Sequence, residues 1–104
     1  MAKKLEKVIL YDIYAPLLTE KQRDTLDLYY NEDLSLSEIA ESTEVTRQAV
    51  MNCIHKAEQR LSELEEGMEL AKRFNDISVL LDRLSALHTD SESSALISEI
   101  RTLL

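Results

Sequence analysis

Residues that interrupt helices are scarce in this sequence, whose 104 residues include one glycine, Gly67, and one proline, Pro16. Sheet proteins with many tight turns rely on these residues, so their scarcity favours a few long helices. Hydrophobic residues make up 44% of the chain, which is enough for one packed domain, with or without an extension. The composition therefore predicts an all-α fold.

Cysteine is equally scarce, and other signs of secretion or membrane insertion are missing. Cys53 is the only cysteine and cannot form an internal disulfide. No apolar run approaches the roughly 20 residues that span a bilayer, so no membrane span is expected. Residues 1–16 contain no apolar core followed by a cleavage site. We therefore expect a cytoplasmic protein.

Catalytic and cofactor-binding motifs are also missing from the sequence. It contains no glycine-rich phosphate loop, no nucleophile elbow and no pair of histidines near a candidate nucleophile. Cys53 and His55 have no further partner at the spacing of metal ligands. We expect no enzymatic activity, no cofactor and no metal.

Basic residues are few, because 12 lysines and arginines stand against 20 acids and give a formal net charge of -8. This balance excludes a protein coated with positive charge for nonspecific nucleic-acid binding. The distribution is uneven, however. Residues 31–60 contain six acids and three bases, yet residues 46–60 contain all three of these bases and only one of the acids. This short segment is therefore locally basic.

The segment Leu36–Leu61 predicts two amphipathic helices around a four-residue turn, which is a helix-turn-helix. Ser35 and Glu38 form a capping-box pair that starts the first helix. Ile39 and Ala40 then face inward, and the small Ala40 allows a second helix to cross closely. The second helix begins at Thr46, a good N-cap, and carries one buried stripe: Val50, Ile54, Ala57 and Leu61.

We call this second helix, Thr46 to about Arg60, the recognition helix. The face opposite its buried stripe is rich in hydrogen-bonding side chains. It carries Arg47, Gln48, Met51, Asn52, His55, Lys56 and Gln59. We expect Arg47, Gln48 and Asn52 to contact bases or adjoining phosphates in the major groove of DNA. Thr46 and Lys56 would contact the backbone, and His55 and Gln59 are weaker candidates.

The order of a capped helix, a turn and a helix that begins Thr-Arg-x-x-Val resembles region 4 of bacterial sigma factors. A longer part of the sequence resembles the YlxM-like family of small helix-turn-helix proteins. The second resemblance covers about Leu5 to Leu64 and rests on LLTEKQRDTLDLYYNEDLSLSEIAE and VTRQAV. It implies an all-α fold, a sigma region 4-like helix-turn-helix bundle. It also implies a regulatory protein that gene neighbourhood links to the signal recognition particle pathway.

Two departures from the sigma pattern bear on binding. The turn position usually held by glycine is Glu44, where a left-handed backbone costs roughly 1 kcal/mol, so the turn is either looser or strained. Ala49, Met51 and Gln59 occupy positions that sigma region 4 often fills with arginine. Because phosphate contacts supply most nucleic-acid affinity, we expect weak binding per protomer.

The remaining segments have the pattern of helices of moderate length. The first spans about Lys4–Tyr14, with Leu5, Val8, Ile9 and Ile13 inward, and ends before Pro16. Thr19 and Gln22 form a capping box for the next, whose apolar side is Leu26, Tyr29 and Tyr30 and whose left-handed stop is Asn31.

Beyond Leu61 the apolar spacing predicts further helix with a bend or break at Gly67 or at residues 74–76. Residues 88–94 have the composition of a loop, and Ala95–Leu104 that of a last helix. We expect residues 1–64 to form the helix-turn-helix domain and residues 65–104 a long C-terminal helical extension. The extension carries more apolar residues than one isolated helix can bury, so we expect a homodimer through it.

Two functions fit these features of the sequence. The first is a DNA-binding regulator that uses the recognition helix. The second is a protein- or RNA-interaction module of the signal recognition particle pathway that reads no DNA sequence, which the low positive charge fits equally well. A three-helix packing unit that contacts no nucleic acid is the simplest alternative to both.

Overall fold

The computed structural model describes residues 3–104, which form six α-helices and no strand. The all-α prediction is confirmed. The chain divides into two compact units, the first ending at Met68 and the second spanning Glu69–Leu104. The helices are α1 (Leu5–Tyr14), α2 (Glu20–Leu26), α3 (Leu36–Thr43), α4 (Arg47–Met68), α5 (Leu70–Leu87) and α6 (Ser91–Thr102).

Helix α1 buries a different face from the predicted one. Leu10, Tyr11 and Tyr14 are buried, whereas Leu5 is 74% exposed and Ile9 is 47% exposed. Aromatic rings bury more area, and their hydroxyls need partners. The Tyr11 hydroxyl donates to a backbone carbonyl of α2 (Arg23, 3.2 Å), and the Tyr14 hydroxyl to a carboxylate of α4 (Glu65, 2.7 Å). The inward set of Leu5, Val8, Ile9 and Ile13 was therefore wrong, although Val8 and Ile13 are half-buried.

Helix α2 begins at the predicted capping box. The Thr19 hydroxyl accepts from the Gln22 N–H at 3.1 Å, and the Gln22 side chain accepts from the Thr19 N–H at 3.2 Å. A short 3₁₀ turn that contains Pro16 separates α1 from this cap. The apolar side of α2 and the turn after it is packed, because Leu26 and Tyr29 are at most 2% exposed.

The predicted stop at Asn31 was wrong. The chain continues from α2 into a π-helical turn, Asp27–Asn31, and the left-handed residue is Asp33, with φ 54°. The π-helical turn extends the helical backbone through Asn31, so the chain leaves the helix later than predicted. Within this turn the Asn31 side chain donates to Asp27 Oδ1 at 2.6 Å. In the same turn the half-buried Tyr30 hydroxyl donates to Glu58 of α4, and burial raises the pKa of this phenol.

The core of the first unit is centred on α4, which packs against α1, α2 and α3. The predicted stripe is confirmed, since Val50 is 2% exposed and Ile54, Ala57 and Leu61 are fully buried. This packing fixes the orientation of α4 and leaves its opposite face exposed.

Helix α4 runs past residue 64 and ends at Met68. The break is made by Glu69, whose φ is 54°, while Gly67 stays helical. The break therefore lies two residues beyond Gly67, and residues 74–76, the other predicted break, lie inside α5.

The second unit consists of α5 and α6, which contact each other. Leu81 and Ile97 are its buried residues, and Arg101 of α6 forms a 2.7 Å ion pair with Asp82 of α5. Helix α6 begins at Ser91, so the predicted loop through Ser94 was wrong. Its polar composition reflects an exposed first turn, which Asp90 caps by accepting from the Ser93 N–H at 2.9 Å. Across residues 3–104, no helix is long and apolar enough to cross a membrane.

Candidate nucleic-acid interface

The capping box of α3 is formed as predicted and fixes the start of the helix-turn-helix. The Ser35 hydroxyl accepts from the Glu38 N–H at 3.1 Å, and the Glu38 carboxylate accepts from the Ser35 N–H at 3.0 Å. The hydrogen bond from the Ser35 backbone N–H, and after it one from the Ser35 side chain, lower the pKa of the Glu38 carboxyl. Ile39 and Ala40 are buried against the unit, as predicted.

The turn between α3 and α4 is tight despite its glutamate. Glu44 adopts φ 57° and ψ 38°, the left-handed conformation. The next N–H, that of Val45, donates to the Ala40 carbonyl at 3.1 Å, the 6→1 hydrogen bond of a Schellman motif. The strained alternative is therefore the one observed, and the looser turn is not.

Thr46 caps α4 by accepting from the Ala49 N–H at 3.0 Å. All seven predicted contact residues are exposed, and they lie on the helix that the buried stripe holds in place: Thr46, Arg47, Gln48, Asn52, His55, Lys56 and Gln59. Gln48 donates to Asn52 one turn later at 3.2 Å, so these two amides already share one orientation. Met51, on the same face, is half-buried.

Two cations of this face are unpaired with carboxylates. Within residues 3–104, Arg47 and Lys56 have no acid at ion-pair distance, whereas Arg60 lies 3.7 Å from Glu63. The interface therefore offers two positive charges that need no rearrangement before they meet a phosphate.

Acids adjoin one end of the interface. Arg47 shares a surface hollow of about 330 Å³ with Asp33 and Glu38. Lys3 occupies the same hollow, 2.5 Å from Asp33 Oδ1 and 4.6 Å from the Tyr29 ring centroid, and its hydrogen bond lowers the pKa of Asp33. Lys3 is thus engaged by its own chain and offers less to a phosphate.

Sequence reasoning missed one cation. Lys21, on the exposed first turn of α2, lines a hollow of about 330 Å³ together with Asn52 and Lys56 of α4. Nothing local in the sequence pairs residue 21 with residue 56, because only the packing of α2 on α4 brings them together. The one local indication in the sequence was the Thr19 cap, which places Lys21 in the first turn of α2.

No group of three or more histidine, cysteine or acidic side chains is arranged to hold a metal ion within the described part of the chain. Cys53 is half-buried, with its Sγ 3.6 Å from the Thr25 hydroxyl.

Comparison with known proteins gives consistent results. Residues 1–100 match the family model described as "Putative helix-turn-helix protein, YlxM / p13 like". A UPF0122 protein of Clostridium kluyveri is 41% identical over 100 residues, which cover 92% of this chain and 90% of the relative. One of Halalkalibacterium halodurans is 42% identical over 97% of this chain and 96% of the relative. A UPF0122 protein of Bacillus cereus is 45% identical over 80% of this chain and 76% of the relative. The chain therefore belongs to the YlxM / p13-like family of helix-turn-helix proteins.

Proposed function

We propose that this protein is a DNA-binding regulator that places the first part of α4 in the major groove. The observation that carries the proposal is the division of α4 into two faces. One is a fully packed stripe that sets the orientation of the helix, and the other is an exposed row of donors and acceptors. Family membership supports a DNA-binding, non-enzymatic regulatory role at this general level.

Each exposed side chain has a role that suits its chemistry. Arg47 is placed to contact guanine or phosphate, and the amides of Gln48 and Asn52 suit adenine edges. Thr46 and Lys56 contact the phosphate backbone, with His55 and Gln59 contributing less. These seven assignments are part of the proposal. We add Lys21 as a further phosphate contact, because it lines the same hollow as Lys56.

The free cations set the strength of binding. Arg47, Lys56 and Lys21 amount to about three phosphate neutralisations, which gives a log-log salt slope of about -3 per protomer. A slope of about -8 would require the N-terminal lysines as well, but Lys3 bonds Asp33 and Lys7 donates to Ser62. We therefore expect weak binding by one protomer, which a homodimer with two recognition helices strengthens.

The Arg47→Ala variant tests this function. It should weaken binding to a duplex DNA pool by about tenfold, measured by fluorescence anisotropy, because it removes a charged contact from the exposed face. Its melting temperature should stay near that of the parent, since Arg47 is exposed and unpaired.

Arg83→Ala is the matched control, because it removes an exposed arginine from α5, outside the helix-turn-helix. It should bind DNA as the parent does. An equal loss from both variants would show that net charge alone governs binding, and a large loss of stability in Arg47→Ala would make Arg47 structural.

The second candidate function is an interaction module of the signal recognition particle pathway. Its support is the family resemblance together with the net charge of -8 and the small number of unpaired cations in the interface. Titration against duplex DNA, signal recognition RNA and the particle's protein at two salt concentrations separates the two functions. Tighter binding to the RNA or the protein than to DNA would favour this candidate.

A further inference from the structure

A groove lies in the first unit beside the polar face of α4. It has a volume of about 380 Å³ and is bounded by α2, α3 and the start of α4. Its floor is apolar and includes Leu28, Ile39 and Val50, of which Ile39 and Val50 are at most 2% exposed. We call it the α2–α4 groove. None of the seven residues predicted to contact DNA lines it, whereas Lys21, the added phosphate contact, does.

The lip of the groove is open to solvent. Val45, in the turn, is 41% exposed, and Ala49 on α4 is exposed as well. Pockets for small ligands usually enclose most of the ligand surface. An open apolar groove suits a side chain carried by a larger molecule, as when an amphipathic helix inserts apolar anchors into a partner.

The rim of the groove is acidic. Glu20 and Asp24 lie one turn apart on α2, so they project from the same side of that helix, and Lys21 is the one base among the residues that line the groove. With two acids against one base, this rim carries a net negative charge and attracts a cationic partner. A second copy of this chain, with its own charge of -8, is therefore a poor occupant.

We propose that the α2–α4 groove binds an apolar side chain on a basic, amphipathic segment of a partner protein. Ala49 and Cys53 line both this groove and the hollow formed by Asn52 and Lys56, so the bound segment lies beside the DNA-contacting face. The proposal goes beyond DNA binding and does not depend on it. Binding of the segment and binding of DNA are expected to influence each other.

Cys53 gives a direct measure of occupancy. It is the only cysteine in the chain and lines the groove, half-buried. A synthetic amphipathic helical peptide of leucine and lysine should slow the reaction of Cys53 with N-ethylmaleimide in the full-length protein by about tenfold at saturation. The same peptide with glutamate in place of lysine should give no protection.

Matched variants locate the peptide. Ala49→Trp fills the groove and should weaken binding of the labelled lysine peptide by about tenfold, measured by fluorescence anisotropy. Ser37→Trp adds the same side chain at an exposed position of α3, outside the groove, and should bind as the parent does. The double variant Glu20→Gln, Asp24→Asn should bind more weakly and with a flatter salt dependence.

Three results would overturn the proposal: lysine peptide that binds without protecting Cys53, glutamate peptide that protects equally, or equal losses from Ala49→Trp and Ser37→Trp. Circular dichroism of each variant verifies its helix content. The peptide titration contains no nucleic acid, so failure of the DNA-binding proposal would be seen separately, in the duplex titration of Arg47→Ala.

Discussion

The two units of this chain are both helical, yet they differ in how much apolar surface they bury. Among residues 3–104, the first unit contains 13 of the 15 buried apolar residues, and the second contains Leu81 and Ile97. Conversely, nine of the 14 large apolar residues that are exposed in the described part of the chain belong to the second unit. They are Ile77, Val79, Leu80, Leu84, Leu87, Leu96, Ile100, Leu103 and Leu104.

Helix content alone therefore does not ensure that apolar side chains are buried. The four helices of the first unit bury one another's apolar side chains, because α1, α2 and α3 all pack against α4. The second unit has two helices, which contact each other. Marginal burial of this kind usually indicates a further partner surface.

The largest effect that we expect comes from the densest part of the first unit. Ile54→Ala removes a fully buried side chain at the centre of the α4 stripe and should lower the free energy of unfolding by about 2 to 5 kcal/mol. Urea denaturation followed by circular dichroism measures the change. Leu5→Ala, at a 74% exposed leucine of α1, should change stability by less than about 0.5 kcal/mol.

A result in which Leu5→Ala destabilises as much as Ile54→Ala would contradict the observed orientation of α1. It would also restore the face that the sequence pattern predicted for that helix. The pair of variants therefore tests both the core and its boundary.

The next effect concerns the second unit, which we propose is a homodimerisation element. Ile77, Leu80, Leu84 and Leu87 are exposed at spacings of three, four and three, which is a heptad-like stripe on α5. A second copy that covers this stripe and the exposed side of α6 would bury both. The parent should then sediment at roughly twice the 11.9 kDa chain mass.

Leu80→Glu should weaken this dimer by about 2 kcal/mol, because it places a charge in the centre of the stripe. Sedimentation equilibrium over a concentration series measures the shift toward monomer. Ser85→Glu adds the same charge at an exposed polar position of α5 and should leave the mass doubled. A parent that sediments as a well-folded monomer would remove the basis for two recognition helices on paired half-sites.

Local features of the first unit were predictable from the sequence, because they depend on residues three or four apart. Both capping boxes and the whole α4 stripe belong to this class. The start of α6 also depends on a local cap, but its polar first turn has the composition of a loop. Here composition and capping conflict, and the Asp90 cap decides the outcome.

Features that depend on distant residues were not predictable in the same way. The orientation of α1 depends on Tyr14 meeting Glu65, 51 positions away. The place of Lys21 beside Lys56 depends on how α2 crosses α4. The apolar pattern of α1 fits two faces, and only its partners select one.

A smaller effect is expected at the turn of the helix-turn-helix. Glu44→Gly should raise the free energy of unfolding by about 0.5 to 1 kcal/mol, because glycine adopts φ 57° without the side-chain clash. Glu44→Ala is the control, since alanine keeps the Cβ atom and should not stabilise. If alanine stabilised as much as glycine, the gain would come from removing a negative charge and not from relief of strain.

The smallest effect that we expect is a change in the acid sensitivity of stability when a charged capping box is made uncharged. The pKa of Glu38 is lowered in the folded chain, chiefly by its hydrogen bond from the Ser35 N–H. Its ionised form therefore stabilises the fold above its unfolded pKa of about 4.3, and this contribution is lost as the pH falls through the folded value. Glu38→Gln converts the box into the uncharged type that Thr19 and Gln22 form on α2. The variant should lose stability less steeply than the parent between about pH 5 and pH 3.

The second unit offers the corresponding test, because a hydrogen bond from the Ser93 N–H lowers the pKa of Asp90 at the start of α6. Asp90→Asn should likewise flatten the acid dependence. If the units unfold separately, it should do so only in the transition of the second unit, whereas Glu38→Gln should affect only the first. Thermal unfolding at a series of pH values measures both, and each effect should be small because both carboxylates are exposed. Identical acid profiles for the parent and both variants would show that these caps act through hydrogen bonding alone, without a contribution from charge.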